Sequence, residues 1–186
     1  DIKENVLAPN DLIKALLLAP VDLLWNGGIG TYIKGSSESH SDVGDKATDA
    51  VRINGNQVRA KVIGEGGNLG MTQLGRVEFA LSGGSSYTDF IDNAGGVDCS
   101  DHEVNVKIML NEIVASGDMT MKQRNQLFME MTDAVSELVL TNNYRQTQAI
   151  ALAHRECEDR MDEYVHLIHD FEESGKLNRA LEYLPD

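Results

Sequence analysis

Cysteine, proline and basic residues are all scarce in this 186-residue chain. The two cysteines, Cys99 and Cys157, are too few for a disulfide framework and too isolated for a zinc site. We therefore expect reduced thiols and a cytoplasmic protein. Sixteen Lys and Arg residues stand against thirty Asp and Glu residues, which gives a net charge of −14. This balance argues against a nucleic-acid partner and against docking on anionic membranes, because both need a basic surface.

Long apolar runs are absent as well. The longest extends only from Ala15 to Val21, whereas a membrane-spanning helix needs about 20 such residues. The hydrophobic content of 41% and the charged content of 25% are typical of a globular protein. Because the chain opens on Asp1 rather than on Met, we expect it to be a fragment of a longer protein.

Helix and strand patterns alternate in the first part of the chain. An apolar run behind Asn10 and Asp11, both typical N-cap residues, predicts a helix that ends at Pro20. A second helix is expected over residues 73–81, with Thr72 as its N-cap. Three apolar segments favour buried strands, at residues 21–25, 61–63 and 87–91.

The connection between the first two strands is long and polar. Residues 35–50 contain almost no apolar side chain, which indicates a loop or an ordered insertion. Residues 51–58 alternate apolar and polar side chains around Asn54-Gly55, a hairpin-like pattern. Within the polar stretch, Gly44-Asp-Lys-Ala-Thr-Asp49 has no role that the sequence assigns.

Helical spacing dominates from Ser100 onward. Gly117 is expected to end the first of these helices, and Thr120 to cap a long second one that Asn142-Asn143 interrupts. A further helix should end at Gly175, and residues 176–184 should form a last short one. The scattered histidines and the triplet Asp101-His-Glu103 suggest no metal site, because adjacent residues on a helix do not face one ion.

Each predicted strand is followed by a turn of small residues. The three turns are Asn26-Gly27-Gly28, Glu65-Gly66-Gly67-Asn68 and Asn93-Ala94-Gly95-Gly96. In an open α/β sheet, ligands bind beyond the carboxyl ends of the strands, so the turns suggest one rim of a binding crevice. Ordinary turn chemistry explains them equally well. The dinucleotide fingerprint fails, because a pattern started at Gly64 or Gly28 meets Leu69 or Ile33 at its third glycine.

Several long motifs resemble one enzyme family. They are Pro20-Val-Asp-Leu-Leu-Trp-Asn-Gly-Gly-Ile-Gly-Thr-Tyr32, Gly64-Glu-Gly-Gly-Asn-Leu-Gly-Met-Thr-Gln73, Asp92-Asn-Ala-Gly-Gly-Val-Asp-Cys-Ser-Asp-His-Glu-Val-Asn105, Leu138-Val-Leu-Thr-Asn-Asn-Tyr-Arg-Gln-Thr-Gln148 and Leu177-Asn-Arg-Ala-Leu-Glu-Tyr-Leu-Pro185. Together they resemble the cofactor-domain end of glutamate dehydrogenases, most closely the very large bacterial NAD-specific class. The resemblance covers essentially the whole chain.

The resemblance implies that the parent oxidises L-glutamate to 2-oxoglutarate and ammonium with NAD. It places Asn26, Gly27 and Gly28 along the cofactor crevice, and the turn Glu65-Gly66-Gly67-Asn68 beside the nicotinamide half of NAD. It also implies that Asn93 contacts the nicotinamide side and that Ser100 binds the distal carboxylate of glutamate. The preference for NAD over NADP rests on this resemblance alone.

The family's catalytic Lys and Asp belong to an upstream substrate domain, so no catalytic residue is assigned in this fragment. We expect an α/β fold: residues 1–100 as the C-terminal half of a Rossmann-like nucleotide-binding domain, and residues 101–186 as a helical C-terminal segment. The expected partners are glutamate, 2-oxoglutarate, NAD, the parent's upstream catalytic domain and further copies in a homo-oligomer. Two alternatives stay open: a non-catalytic regulatory or assembly module, and an oligomerisation element in residues 118–186.

Overall fold

The computed structural model describes residues 6–184. The chain divides into two compact units, one holding Asp1–Asp89 with Ala151–Asp186 and the other Phe90–Ile150. The predicted α/β class is confirmed, because parallel strands and several helices make up the described residues. Within residues 6–184, no helix is both long enough and apolar enough to cross a membrane.

Five short strands and seven α-helices follow one another along the described chain. The first eight elements are α1 (Pro9–Leu17), β1 (Leu23–Asn26), β2 (Ile33–Lys34), α2 (His40–Val43), β3 (Ile53–Asn54), β4 (Val62–Glu65), α3 (Gln73–Leu81) and β5 (Ser85–Ser86). The later helices are α4 (Asp89–Asp92), α5 (Asp98–Ser116), α6 (Met121–Glu156) and α7 (Met161–Glu173).

Two small parallel sheets organise the first unit. Strands β1, β4 and β5 form one sheet in the order β1-β4-β5, with Trp25 opposite Gly64 and Asn26 opposite Glu65. Strands β2 and β3 form the other, and a single bridge links Ile33 to Met71. Because β1 and β4 run parallel and in register, their carboxyl ends meet at one edge of the larger sheet.

The hydrophobic core of this unit gathers side chains from both sheets and from α3. Phe79 of α3 is 1% exposed and is one of its largest members. Partly buried leucines at the end of α1 and in β1 pack against the same cluster. The buried members of this core are Ile33, Ile53, Val58, Ala60, Ile63, Met71 and Phe79.

The hairpin expected at Asn54-Gly55 is wrong. Asn54 ends β3, which pairs in parallel with β2, and a 3-10 turn follows over Gly55–Gln57. A Cβ atom on Gly55 would lie 2.4 Å from the carbonyl oxygen of Gly75 in α3. The glycine therefore serves a close backbone approach to a helix, and the local Asn-Gly pattern does not distinguish that from a tight turn.

The third predicted strand, at residues 87–91, is also wrong. The strand is β5, Ser85–Ser86, and Asp89–Asp92 form the short helix α4. Gly84 packs directly against the Phe79 ring, and the Ser85 N–H donates to the Lys61 carbonyl, so pairing with β4 begins immediately after the glycine. The turn at Asn93 consequently follows a helix rather than a strand.

The helix predictions were partly right. Thr72 caps α3, since its hydroxyl accepts the Gly75 N–H at 3.0 Å, and Gly117 ends α5 with a φ of 87°. Helix α1 begins at Pro9 instead of behind Asn10-Asp11, because proline at the first helical position is already set for the helix. Residues 176–184 contain turns and no helix.

Asn142 and Asn143 do not interrupt α6. The Asn142 amide donates to the Asp98 carboxylate at 3.1 Å, and the Asn143 amide donates to the Ile91 carbonyl at 2.6 Å. Asparagine disfavours helices when its side chain competes for nearby backbone groups. Here both amides bind partners outside α6, so the helix continues through them.

The polar stretch after β2 is an ordered insertion built around a buried arginine. Arg52 is 5% exposed, and its Nε donates to the Thr31 carbonyl at 2.8 Å. Its other nitrogens donate to the Asp49 carboxylate at 2.6 Å and to the Asp45 carbonyl at 2.5 Å. A buried guanidinium is unfavourable unless its N–H groups are paired. The hydrogen bonds that pair Arg52 therefore hold the polar stretch in one conformation.

We predict that Gly55→Ala lowers the free energy of unfolding by about 1–3 kcal/mol, because the new methyl group meets a backbone oxygen that has no rotamer to move to. The measurement is urea unfolding followed by the fluorescence of Trp25, the single tryptophan of the chain. Gly28→Ala is the matched control, since nothing lies within 4 Å of a Cβ at that position. Equal losses in the two variants would contradict the prediction.

Candidate functional site

The turns after β1 and β4 come into direct backbone contact at the carboxyl edge of the sheet. A Cβ atom on Gly67 would lie 2.8 Å from the Cα of Gly28. A Cβ atom on Gly70 would lie 2.2 Å from the side-chain nitrogen of Asn26. Only glycine permits this approach, so the structure brings the first two predicted turns together as the sequence suggested.

A cleft of about 490 Å³ opens beside the two turns. Its volume is in the range of small-molecule sites, and apolar side chains dominate its walls. Helix α1 supplies one wall with Ile13, Leu16 and Leu17. The β1 turn supplies another with residues 25–29, including the predicted cofactor residues Asn26, Gly27 and Gly28.

Trp25 covers the backbone at the end of β4. A Cβ atom on Gly64 or on Gly66 would lie 2.5 Å from a carbon of the indole ring. The ring therefore lies against these glycines, while 57% of the residue is exposed to solvent. The close approach of this ring explains why positions 64 and 66 are glycine.

Glu65 is fully buried and paired with an arginine from α3. Its carboxylate accepts bonds from Arg76 Nε at 2.7 Å and from Arg76 Nη2 at 3.0 Å, and from the Met71 N–H at 3.0 Å. Burial raises the pKa of the Glu65 carboxyl, and the hydrogen bonds and charge of Arg76 only partly oppose that increase. This predicted cofactor residue thus uses its side chain to shape the turn.

Thr31 joins the two turns to the inserted segment. Its N–H donates to the Asp45 carboxylate at 2.9 Å, and its hydroxyl donates to the Leu69 carbonyl at 2.6 Å. The hydrogen bonds from the hydroxyl of Thr48 and the N–H of Thr31 lower the pKa of Asp45. The motif at residues 44–49 therefore supports the chain that follows the β1 turn.

Two predicted residues at these turns differ in accessibility. Asn68 is exposed at the tip of the β4 turn. Asn26 is half-buried, and its Oδ1 accepts the Gly28 N–H at 3.3 Å, which closes the β1 turn. Asn68 is thus the more exposed of the two residues, whereas Asn26 uses its carbonyl oxygen within its own turn.

Asn93 and Ser100 belong to the unit formed by residues 90–150. Asn93 lies between α4 and α5, and its Oδ1 accepts the Gly96 N–H at 3.1 Å. Ser100 is exposed in the first turn of α5, beside a depression of about 540 Å³ that Asp98 and Asp101 also line. These aspartates already occupy the helix start with negative charge.

No group of three or more His, Cys, Asp or Glu side chains within residues 6–184 is arranged to hold a metal ion. Apart from Glu65, whose carboxylate is paired with Arg76, the predicted site residues offer backbone amides, asparagine amides and one serine hydroxyl. Such groups bind and orient a ligand, but they neither donate nor remove a proton near neutral pH.

The model of the bacterial NAD-glutamate dehydrogenase catalytic domain matches residues 1–153 of this sequence. The chain belongs to this family. Relatives named NAD-specific glutamate dehydrogenase are 68% identical over 185 residues in Pseudomonas aeruginosa, 57% over 184 in Halomonas elongata and 54% over 179 in Mycobacterium tuberculosis. These alignments cover 100%, 99% and 96% of the chain, but 11% of each relative. The family resemblance of the sequence motifs is confirmed.

Sequence reasoning missed the residues that hold the β4 turn in shape. Arg76 and Asp89 lie 11 and 24 positions after Glu65, in α3 and at the start of α4. No local pattern pairs such distant charges. The available signal was the acidic residue inside the glycine motif, because a carboxylate between glycines at a strand end needs a cation or backbone amides when it is buried.

We predict that Arg76→Met lowers the free energy of unfolding by about 3 kcal/mol at neutral pH, because the Glu65 carboxylate then stays buried without its cation. Without Arg76 the pKa of Glu65 rises further, so the folded state binds a proton more tightly than the unfolded chain. The free energy of unfolding of the variant therefore falls as pH rises from the pKa of Glu65 in the unfolded chain to its higher pKa in the folded chain. The difference in stability between wild type and variant shrinks as pH is lowered.

The measurement is urea unfolding of wild type and Arg76→Met between about pH 5 and about pH 8. The double variant Glu65→Gln/Arg76→Met is the control, since it has no carboxyl to protonate and should lose this part of the pH dependence. A deficit that stays constant over the whole pH range would argue against a buried, arginine-dependent carboxylate.

Proposed function

We propose that this chain is part of an NAD-dependent glutamate dehydrogenase, in which it supplies the nicotinamide rim and one substrate contact. The reaction is L-glutamate + NAD + water to 2-oxoglutarate + ammonium + NADH. The supporting observation is the backbone contact of the Gly28 and Gly67 turns beside the apolar cleft. Because the chain belongs to the glutamate dehydrogenase family, we infer that the ligand of this cleft is NAD.

The cleft suits the nicotinamide end of NAD. A flat ring with one polar carboxamide needs apolar walls and a few amide partners, and the cleft offers Trp25, the leucines of α1 and backbone groups of the glycine turns. A Cβ atom on Gly67 would clash with the Gly28 backbone, so this glycine permits the contact between the turns beside the cleft. When bound, NAD supplies the hydride acceptor, and the protein supplies orientation and exclusion of water.

Each amide is assigned a separate task in this proposal. Asn68, exposed on the β4 turn, contacts the nicotinamide half of NAD, and Asn93, whose Oδ1 also accepts the Gly96 N–H, contacts the nicotinamide side. Gly27 and Gly28 admit the cofactor by their lack of side chains, whereas Gly66 and Gly67 line it with backbone and allow the packing of Trp25 and Gly28. Asn26 closes its turn, and Glu65 acts through Arg76 as a positioning residue.

Ser100 donates a hydrogen bond to the distal carboxylate of glutamate in this proposal. The residues that line its depression include Asp98 and Asp101 and, within the described chain, no Lys or Arg. An anionic substrate beside two carboxylates requires a cation for net attraction. We therefore expect the parent enzyme to supply that cation from outside this chain.

The chain by itself is expected to be inactive. In the family that the chain resembles, the Lys that activates water and the Asp that moves protons lie in an upstream domain. Hydride transfer needs both domains to position the reactants. We infer that residues 1–100 are half of a Rossmann-like cofactor domain and residues 101–186 a helical segment, and that the parent is a homo-oligomer. A non-catalytic assembly module would retain these turns without turnover.

We predict that Ser100→Ala in the full-length enzyme lowers kcat/KM for glutamate by about 10- to 100-fold and leaves the KM for NAD unchanged, because one hydrogen bond to a charged group is lost. Asn68→Ala should show the opposite pattern, with a higher KM for NAD. Both are measured by glutamate-dependent formation of NADH.

The matched controls are Ser136→Ala, an exposed serine on α6, and Asn56→Ala, an exposed asparagine in the first unit. Neither should change the kinetics. If Ser100→Ala retains wild-type activity, the assignment of Ser100 to the substrate is wrong, but the proposed glutamate dehydrogenase reaction still holds. A full-length wild type without glutamate-dependent NADH formation would favour the assembly-module alternative.

A further inference from the structure

Leu69, next to the exposed Asn68, has a left-handed backbone. Its φ is 57°, and Leu69 and Tyr183 are the two non-glycine residues with positive φ in the described chain. Such a conformation is unfavourable for a residue with a branched side chain, since Cβ crowds the following carbonyl. Strained residues at a candidate site persist when surrounding contacts enforce them.

Carboxylates hold backbone amides on both sides of this strained residue. The Leu69 N–H donates to Asp89 Oδ2 at 2.7 Å, and the Met71 N–H donates to Glu65 Oε2 at 3.0 Å. Arg76 Nη2 lies 3.0 Å from Glu65 Oε2 and 3.4 Å from Asp89 Oδ1, so one guanidinium bridges the two carboxylates. Hydrogen bonds to charged acceptors are the stronger kind.

The opposite side of Leu69 is held as well. Its carbonyl accepts the Thr31 hydroxyl at 2.6 Å, and the Gly70 carbonyl accepts the Tyr32 N–H at 2.9 Å. The peptide unit between Asn68 and Leu69 carries the N–H that Asp89 holds. The orientation of this peptide sets the ψ angle of Asn68, and with it the direction in which its side chain leaves the turn.

We propose that Asp89 is a positioning residue for NAD binding: it holds the Leu69 N–H, keeps Leu69 left-handed and thereby directs the Asn68 amide toward the cofactor. This rests on the proposed function of the β4 turn. Asp89 touches no reacting atom in this proposal. Its effect passes through the backbone of Leu69, with Arg76 fixing its carboxylate.

The test uses the full-length enzyme with Asp89→Ala, which removes the acceptor, and Asp89→Asn, which keeps a side-chain oxygen. Each is made in the wild-type background and in a Leu69→Gly background. Glycine adopts positive φ without cost, so it removes the strain that Asp89 has to overcome. Asp22→Ala, which removes an exposed carboxylate paired with Lys61, is the control for lost surface charge.

We expect Asp89→Ala to raise the KM for NAD about tenfold, with a smaller change in kcat, and Asp89→Asn to raise it less. In the Leu69→Gly background the effect of Asp89→Ala should shrink to about twofold. Leu69→Gly relieves strain at position 69 alone, so a loss that arises from the Arg76–Asp89 pair without any hold on Leu69 should be equal in the two backgrounds.

Amide hydrogen exchange of the segment at residues 66–71 in the NAD-free enzyme tests the clamp without using activity. Faster exchange in Asp89→Ala is expected. Unchanged exchange, or an equal KM increase in the wild-type and Leu69→Gly backgrounds, would overturn the proposal. If Asn68→Ala leaves the KM for NAD unchanged while Asp89→Ala accelerates exchange, the proposed cofactor role of the turn has failed instead.

Discussion

The buried ion pair between Glu65 and Arg76 is the interaction on which the site depends. A fully buried carboxylate at a strand end is unfavourable unless a cation and backbone amides surround it, and Arg76 and the Met71 N–H supply both. These bonds connect the end of β4 to Met71, just after the turn, and to Arg76 in α3. The same turn is shaped by close packing: a Cβ atom on Gly70 would lie 3.0 Å from Glu65 Oε2, and one on Gly67 would lie 2.8 Å from the Cα of Gly28.

The inserted segment after β2 imposes a second constraint on the two turns. Arg52 is buried, and it is satisfied by carbonyls and side chains on both sides of the insertion, including the Thr31 carbonyl. Asp45 holds the Thr31 N–H, and Thr31 in turn holds the Leu69 carbonyl. Two separate charge networks thus converge on the same pair of turns. Backbone that contacts a ligand benefits from this rigidity, because a loosely held turn loses binding energy to ordering.

The proposed cofactor rim and the proposed substrate contact differ in how completely this chain builds them. The rim is formed inside one compact unit, from turns that β1 and β4 bring together. Ser100 stands on another unit, among aspartates, and its proposed partner carries negative charge. The chain spans 11% of the length of the relatives it matches, so the missing cation and the proton-transfer groups are expected in the remainder of the parent.

The sequence by itself determined the family, the α/β class, the caps of α3 and α5, and the two glycine turns, because these depend on residues close together in the chain. Only the tertiary structure decided the parallel pairing of β3, the unbroken course of α6, and the partners of Glu65 and Leu69. Those features depend on which distant groups meet in the interior. A local pattern does not specify that choice, since burial and the satisfaction of buried charge are properties of the assembled fold.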